Sequence, residues 1–318
     1  MDRLFCKGYT WGFFARKGDY TSPEAEFSMR RLKEDGCNWV CIAVCAFQDT
    51  FSSTEIKHIY GRMPSDIEVI HAIRMAKSLG LKVCLKPMVN CLDHVWRARI
   101  NFPNEGGYWE RWFKSYFAFM LYYAEIAQAE GCEMLCTGCE MTGMDMQERF
   151  CRELISEVRK VYSGIVMHNV NHGQEYTAKW LDCVDVVGIS GYYPVTTDDD
   201  MSKEKMISSW KRVREKLREV SEFYKKPVMF AEIGMRNEKG CSKYPWDFKM
   251  PYVEDAQQEQ ADFYDSVMEV FWDEPWFAGF FWWDWKAVLP QGEKLAQNRD
   301  FGVYGKLAEE VLKKWYTK

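Results

Sequence analysis

Two short apolar runs carry a glutamate at or near their ends: Met134-Leu-Cys-Thr-Gly-Cys-Glu140 and Val228-Met-Phe-Ala-Glu232-Ile-Gly234. A carboxyl group at the tip of an apolar strand is partly desolvated, which raises its pKa toward the range useful for donating a proton. Two such groups flanking one bond suit glycoside hydrolysis, in which one protonates the leaving oxygen and the other attacks carbon or activates water. A single glutamate at a strand end is as readily half of an ion pair at a rim. Two of them, on strands that face each other across a barrel mouth, favour the chemistry.

Other residues could serve such a pair. Lys86 ends a third apolar run and would be a costly buried cation unless paired, so it reads as a hydroxyl donor or as a partner to a catalytic carboxylate. Tyr192 and Tyr193 follow another run, and Tyr192, nearer its end, is the better placed to hydrogen-bond a nucleophilic carboxylate. The amides of Asn169 and Asn171 suit a sugar diol, or equally the cap of a turn. Trp11, Trp96, Trp282, Trp283 and Trp285 offer flat faces to the C–H side of a pyranose, although strand alternation lets only one of Trp282 and Trp283 face a lumen. Arg97 and Arg99 lie in a loop within reach of hydroxyls, and Asp284 binds a hydroxyl or orients a neighbour. The expected site is thus Glu140 and Glu232 as catalytic residues, with Trp11, Lys86, Trp96, Arg97, Asn169, Tyr192, Trp282 and Asp284 contacting substrate.

Metal chemistry finds less support. Cys132, Cys136 and Cys139 are closely spaced, but on a strand they do not share one face and no Cys/His pair lies nearby. His168 and His172 are four apart at a strand end rather than along a helix face. No metal and no cofactor is expected.

The elements that must position these residues alternate along the chain. Strand-like runs cover residues 9–15, 39–46, 82–89, 133–138, 164–169, 184–190, 227–233 and 278–283. Helical patterns fall between them at 23–35, 65–79, 108–130, 146–162, 203–224 and 254–272, with a last one at 306–315. Ser22 is the expected cap of the first helix, and Gly36, Gly80 and Gly131 follow helix ends, where a left-handed residue is wanted. Eight βα repeats, with no glycine fingerprint of a dinucleotide site after the first strand, predict a closed (β/α)8 TIM barrel rather than an open sheet. Length alone, 318 residues, would also allow two domains. No linker breaks the alternation, so residues 1–318 are expected to form a single catalytic domain. The long connections, 90–107, 191–202, 234–253 and 285–301, all fall on the C-terminal face, which carries the active site in this fold.

At this point the residues also carry a resemblance. Thr10-Trp-Gly-Phe, Asn38-Trp-Val, Lys86-Pro-Met-Val-Asn, Trp96-Arg97, Trp112-Phe-Lys-Ser-Tyr116, Gly138-Cys-Glu140, Ser190-Gly-Tyr-Tyr-Pro194, Ala231-Glu-Ile-Gly234 and Trp282-Trp-Asp-Trp285 together resemble glycoside hydrolase family 113, the retaining (β/α)8 β-mannanases of clan A. The blocks run in order over essentially the whole chain, each at an expected strand end or on the loop or helix that follows. The resemblance implies Glu140 as acid/base and Glu232 as nucleophile. Clan A enzymes usually carry Asn before the acid/base, where it holds the sugar 2-hydroxyl; here that position is Cys139, so another strand-end residue must make the contact or the hydroxyl is read differently.

The expected activity is retaining hydrolysis of β-mannosidic, in particular β-1,4, linkages in manno-oligosaccharides or mannan. A β-glucosidase or another clan A specificity is the enzyme alternative, and a carbohydrate-binding barrel without catalysis is the alternative of another class. The partner is a β-linked oligosaccharide. Oligomeric state, exo or endo action, and hydrolysis against transglycosylation stay open. A net charge of −5 with Lys and Arg spread along the chain argues against nucleic acid. No run of about 18 apolar residues argues for a membrane helix, and the start, MDRLFCKGYTWGFF, lacks a leader's apolar stretch, so a cytoplasmic protein with free cysteines is expected. Aromatic residues make up 16% of the chain, among them 14 Trp, a surplus that fits clefts for ligands with both flat apolar and polar faces.

Overall fold

All eight expected strands form, and they pair in parallel, in sequence order, into a closed barrel. The strands are β1 (Cys6–Trp11), β2 (Trp39–Gln48), β3 (Lys82–Cys91), β4 (Met134–Cys139), β5 (Ile165–Asn171), β6 (Val186–Ser190), β7 (Val228–Ile233) and β8 (Phe277–Trp285). This computed structural model describes residues 3–59, 61–248 and 254–318. The helices are α1 (Pro23–Glu34), α2 (Asp66–Ser78), α3 (Tyr108–Ala129), α4 (Thr142–Asp145), α5 (Glu148–Val161), α6 (Lys203–Tyr224), α7 (Gln257–Phe271), α8 (Gly292–Ala296) and α9 (Leu307–Tyr316).

Local sequence explains where these elements begin. Ser22 caps α1 by accepting from the Ala25 N–H, with Pro23 pre-set in the first turn. Ser65 and Glu68 form a reciprocal capping box on α2. Most boundaries shift by one to three residues from expectation, and three departures stand out. β1 covers Cys6–Trp11 rather than 9–15, because Gly12 turns the chain at φ 80°, where the Tyr20 ring fills the space of a side chain. The helix expected at 146–162 forms as α5 from Glu148, and an additional short helix, α4 at Thr142–Asp145, precedes it. Residues Lys179–Cys183 coil as a 3₁₀ turn, so β6 starts at Val186. Of the long connection 234–253, residues 249–253 lie outside the described residues, as do Met1 and Asp2 of the start.

Two apolar layers result. The larger lies between the strands and the surrounding helices. The smaller fills the lumen mainly with small or soft side chains, among them Cys6, Cys41, Cys84, Cys136, Met134, Met167, Met229, Ala231 and Ala278, together with the rings of Trp39 and Phe281. Above it Ala43, Cys45, Met88 and Cys139 form the next layer toward the mouth. Here the cysteines act as compact hydrophobes. All twelve are free thiols, and only Cys183 is less than fully buried. Among the described residues no helix is long and apolar enough to cross a membrane, and no group of three or more His, Cys, Asp or Glu is arranged to hold a metal ion.

Candidate active site

Glu232 is the penultimate residue of β7, and buried donors converge on it. Lys86 Nζ lies 2.9 Å from its Oε2, Tyr192 Oη donates to Oε1 at 2.9 Å, and the Cys139 thiol donates to Oε2 at 3.4 Å. Lys86 is fully buried on β3 and also donates to the Ala231 carbonyl at 3.3 Å, so its charge is matched inside the barrel. Burial alone would raise the pKa of Glu232. The Lys86 and Arg97 cations and the hydrogen bonds from Lys86 and Tyr192 outweigh burial and hold it below the ordinary glutamate value. Burial, with Glu232 alongside, pushes the Tyr192 hydroxyl well up, so it stays a donor; burial does the same for the Cys139 thiol.

Glu140 follows β4 directly and turns the chain at φ 58°, a left-handed conformation that a non-glycine residue holds only under constraint. Its N–H donates to the Asn169 carbonyl on β5 at 3.0 Å. Its donors come from the loop after β3: Trp96 Nε1 at 3.1 Å and Arg97 Nη1 at 2.9 Å, both to Oε2. Among the described residues none donates to Oε1. Burial first and the neighbouring Glu232 charge second raise the pKa of Glu140, and Arg97, Trp96 and Lys86 only partly oppose them. The two carboxyl groups are thus driven in opposite directions within one site, an arrangement that separates an acid from a base.

The structure brings Lys86, Trp96, Arg97, Asn169 and Tyr192 together with the two glutamates. The Asn169 amide donates to Cys139 Sγ at 3.1 Å, and the Ser190 hydroxyl donates to Asn169 Oδ1 at 3.4 Å. Two expected members face elsewhere. Trp11 points to the helix side, its ring against Tyr20 and its Nε1 donating to Ser28 of α1 at 3.0 Å. Trp282 stacks on Tyr264 of α7 at 4.4 Å and donates to the Tyr316 hydroxyl. Alternation places Trp283 instead at the mouth, with Phe13, Tyr192 and Phe301. Asp284 lies buried behind it, lining a small space with Lys286, Asn298 and Asp300, and its Oδ2 has no hydrogen-bond partner among the described residues. Burial, helped by Asp300, raises its pKa to about 7. Of the weaker candidates, Tyr193 turns to Glu175, Asn171 donates to Thr142, Trp285 donates to Ser28, and Arg99 is exposed.

Three participants escaped the sequence reading. Asn90 Oδ1 accepts from Arg97 Nε and Nη2 at 3.1 and 2.8 Å and so aims the guanidinium at Glu140. It closes the Lys86-Pro-Met-Val-Asn block, which was the available signal. Phe13 lies under the Arg97 guanidinium at 5.6 Å and against Trp283 at 4.6 Å. Cys139, noticed only as a departure, is a donor to Glu232.

Comparisons with known proteins identify the relatives of this chain. The profile of Glycoside Hydrolase Family 113 matches residues 9–306. A GH113 β-1,4-mannanase, solved as a complex, is 38% identical, with 99% of both chains covered and a TM-score of 0.91. The GH113 β-mannanase from Alicyclobacillus acidocaldarius, solved with ManMIm, is likewise 38% identical, with 99% of this chain and 98% of that one covered and a TM-score of 0.91. A β-D-glucuronidase from Dictyoglomus thermophilum, at 16% identity and a TM-score of 0.65 over 100% of this chain and 51% of that one, shares the fold alone. No curated protein matches the chain significantly. With a family profile covering nearly its whole length and solved members superposing end to end, the chain belongs to glycoside hydrolase family 113.

Proposed function

We propose that this chain, acting as one catalytic domain, cleaves β-1,4-mannosidic linkages in manno-oligosaccharides or mannan by double displacement, with Glu140 as acid/base and Glu232 as nucleophile. The observation that carries this reading is the pair of buried glutamates at the ends of β4 and β7, Glu232 held by Lys86, Tyr192 and Cys139 and Glu140 by Trp96 and Arg97. The choice of mannosides rests on the 38% identical β-mannanases.

In the first step a carboxylate oxygen of Glu232 bonds to the anomeric carbon while the bond from that carbon to the leaving oxygen breaks. Glu140 gives its proton to that oxygen. Lys86, Tyr192 and Cys139 keep Glu232 ionised and aimed. Ester formation removes the Glu232 charge, and with it one of the two causes that raise the Glu140 pKa. Glu140, with its pKa lowered, is therefore ionised beside Arg97 and available as the base. In the second step it takes a proton from water, the water oxygen bonds to the anomeric carbon, and the Glu232 carboxylate leaves. Trp283 and Phe13 offer the aromatic wall for the sugar, and Trp96 a half-exposed face beside the acid.

A panel of β-1,4-manno-oligosaccharides and aryl β-glycosides, with the anomer of the first product read by NMR, tests the proposal. Cleavage of mannosides with retention at the anomeric carbon is expected. Net inversion overturns the mechanism, a preference for glucosides overturns the substrate, and binding without turnover makes the barrel a carbohydrate-binding protein.

A further inference from the structure

Behind Glu140, on the helix side of the barrel, one imidazole touches three points of the segment that carries it. His168 on β5 is fully buried. Its Nε2 donates to Asp145 Oδ1 at 2.8 Å, and Asp145 is the last residue of α4, five positions after Glu140. Its Nδ1 faces Thr137 Oγ1 at 3.3 Å, on β4 three positions before Glu140. Its ring fills the space beside Gly138, where an added Cβ would lie 2.4 Å from His168 Cε1. Asp145 Oδ2 has no hydrogen-bond partner among the described residues, so His168 is what holds that buried carboxylate. Trp180 closes the packet, its ring 4.5 Å from the imidazole and its Nε1 donating to the Asp145 carbonyl at 2.9 Å.

Between these anchors lies the left-handed turn at Glu140. A non-glycine residue at φ 58° persists only where its surroundings over-determine it. The Glu140 N–H bond to Asn169 fixes one point, and Trp96 and Arg97 hold the carboxyl from the loop after β3, but neither ties the chain before the turn to the chain after it. The His168 contacts do.

We infer that His168, with Asp145, is a positioning residue for the acid/base: it staples the two ends of the Glu140 turn and so sets where the proton is delivered. It touches no substrate, since it faces α4 and the Lys179–Cys183 turn rather than the lumen. The inference rests on Glu140 acting as acid/base. A misplaced acid costs most when the leaving group needs protonation and little when it does not, whereas a general loss of structure slows both kinds of substrate alike.

The test compares kcat/KM, which reports bond cleavage in the first step, on mannotetraose and on 2,4-dinitrophenyl β-mannoside, whose leaving group needs no proton. His168→Phe keeps a flat ring against Trp180 and removes both polar contacts. It is expected to lose about 10²-fold on mannotetraose, the scale of a 1 Å misplacement, and less than ~3-fold on the aryl substrate. His168→Gln, which restores a donor near the Nε2 position, is expected to recover most of the loss. Equal losses on both substrates, or none on either, overturn the inference. If His168→Phe does not fold, Asp145→Asn, which weakens the staple from its other end, is held to the same selectivity. Glu140→Ala run in parallel separates the two claims. Selectivity in Glu140→Ala but not in the staple variants removes this inference alone, and its absence in Glu140→Ala removes the acid/base assignment beneath it.

Discussion

The ends of β4 and β7 present the same side chain to the same site and treat it in opposite ways. At β7, Glu232 is met by donors from β3, from the residues after β6 and from Cys139, one of them a buried ammonium on a rigid strand. At β4, Glu140 sits on a left-handed turn and is met by two donors from a loop, both on one oxygen. Both glutamates are buried, so desolvation does not distinguish them; the number and rigidity of the donors do. Ionisation at Glu232 is stabilised by neighbours fixed before substrate arrives, the preorganisation a nucleophile needs. Glu140, with fewer donors and the Glu232 charge beside it, keeps its proton to a higher pH.

Removing each carboxylate is the most severe way to probe that contrast. Glu232→Ala is expected to lower kcat/KM by about 10⁴-fold or more on every β-mannosidic substrate, whatever its leaving group. Glu140→Ala is expected to cost about 10²- to 10⁴-fold on oligosaccharides and much less on an activated aryl mannoside. If the two variants respond alike to the leaving group, the contrast is broken.

The pH profile sharpens it. The proposed mechanism needs Glu232 ionised and Glu140 protonated, so the acid limb of kcat/KM is expected below the ordinary glutamate range and the alkaline limb above it. Lys86→Met removes the largest influence opposing burial at Glu232, and so moves the acid limb up and narrows the bell from its acid side. The activity lost at the optimum is expected to be about 10- to 100-fold, from a charge-assisted hydrogen bond worth ~1.5–3 kcal/mol. Tyr192→Phe shifts the same limb in the same direction by less, with an expected loss of about 5- to 10-fold. The signs extend to stability. The depressed pKa of Glu232 stabilises the fold above the unfolded glutamate value of about 4.3 and loses that contribution as pH falls through the folded value. The raised pKa of Glu140 contributes below about 4.3 and loses it as pH rises through its own folded value.

The smallest expected effect on catalysis belongs to Trp282, on the other side of the sheet. Trp282→Phe loses the bond to Tyr316 and part of the stack on Tyr264, a stability cost of about 1–3 kcal/mol seen as a lower Tm. It leaves kcat/KM within about twofold. Trp283→Ala, facing the mouth, is expected to raise KM and, through its lost packing on Phe13 and Phe301, to lower Tm as well.

Much of this was legible in the sequence, because parallel strands buried on both faces and amphipathic helices leave distinct periods. The two glutamates and Lys86 stood out for the same reason, as charges at the ends of apolar runs. What escaped depends on features that a linear reading carries poorly. Trp282 and Trp283 are adjacent, so a one-residue uncertainty in parity exchanges a wall of the site for a core side chain. Trp11 ends β1 on the helix-facing side, and the misplaced start of that strand hid it. Asn90 acts through Arg97, and His168 through Asp145; second contacts of this kind come from register and loop closure, not from local pattern. Cys139 reads as one more small apolar residue until the geometry sets its thiol on a carboxylate.

The central claim is that Glu232 alone of the pair forms the bond to sugar. Incubation with 2-deoxy-2-fluoro-β-mannosyl fluoride, which slows the second step, followed by peptide mapping by mass spectrometry, tests it directly. One 2-fluoromannosyl group on the peptide carrying Glu232, lost on transfer to an acceptor sugar, is the predicted result. A label on Glu140, or inactivation with no covalent adduct, would contradict it.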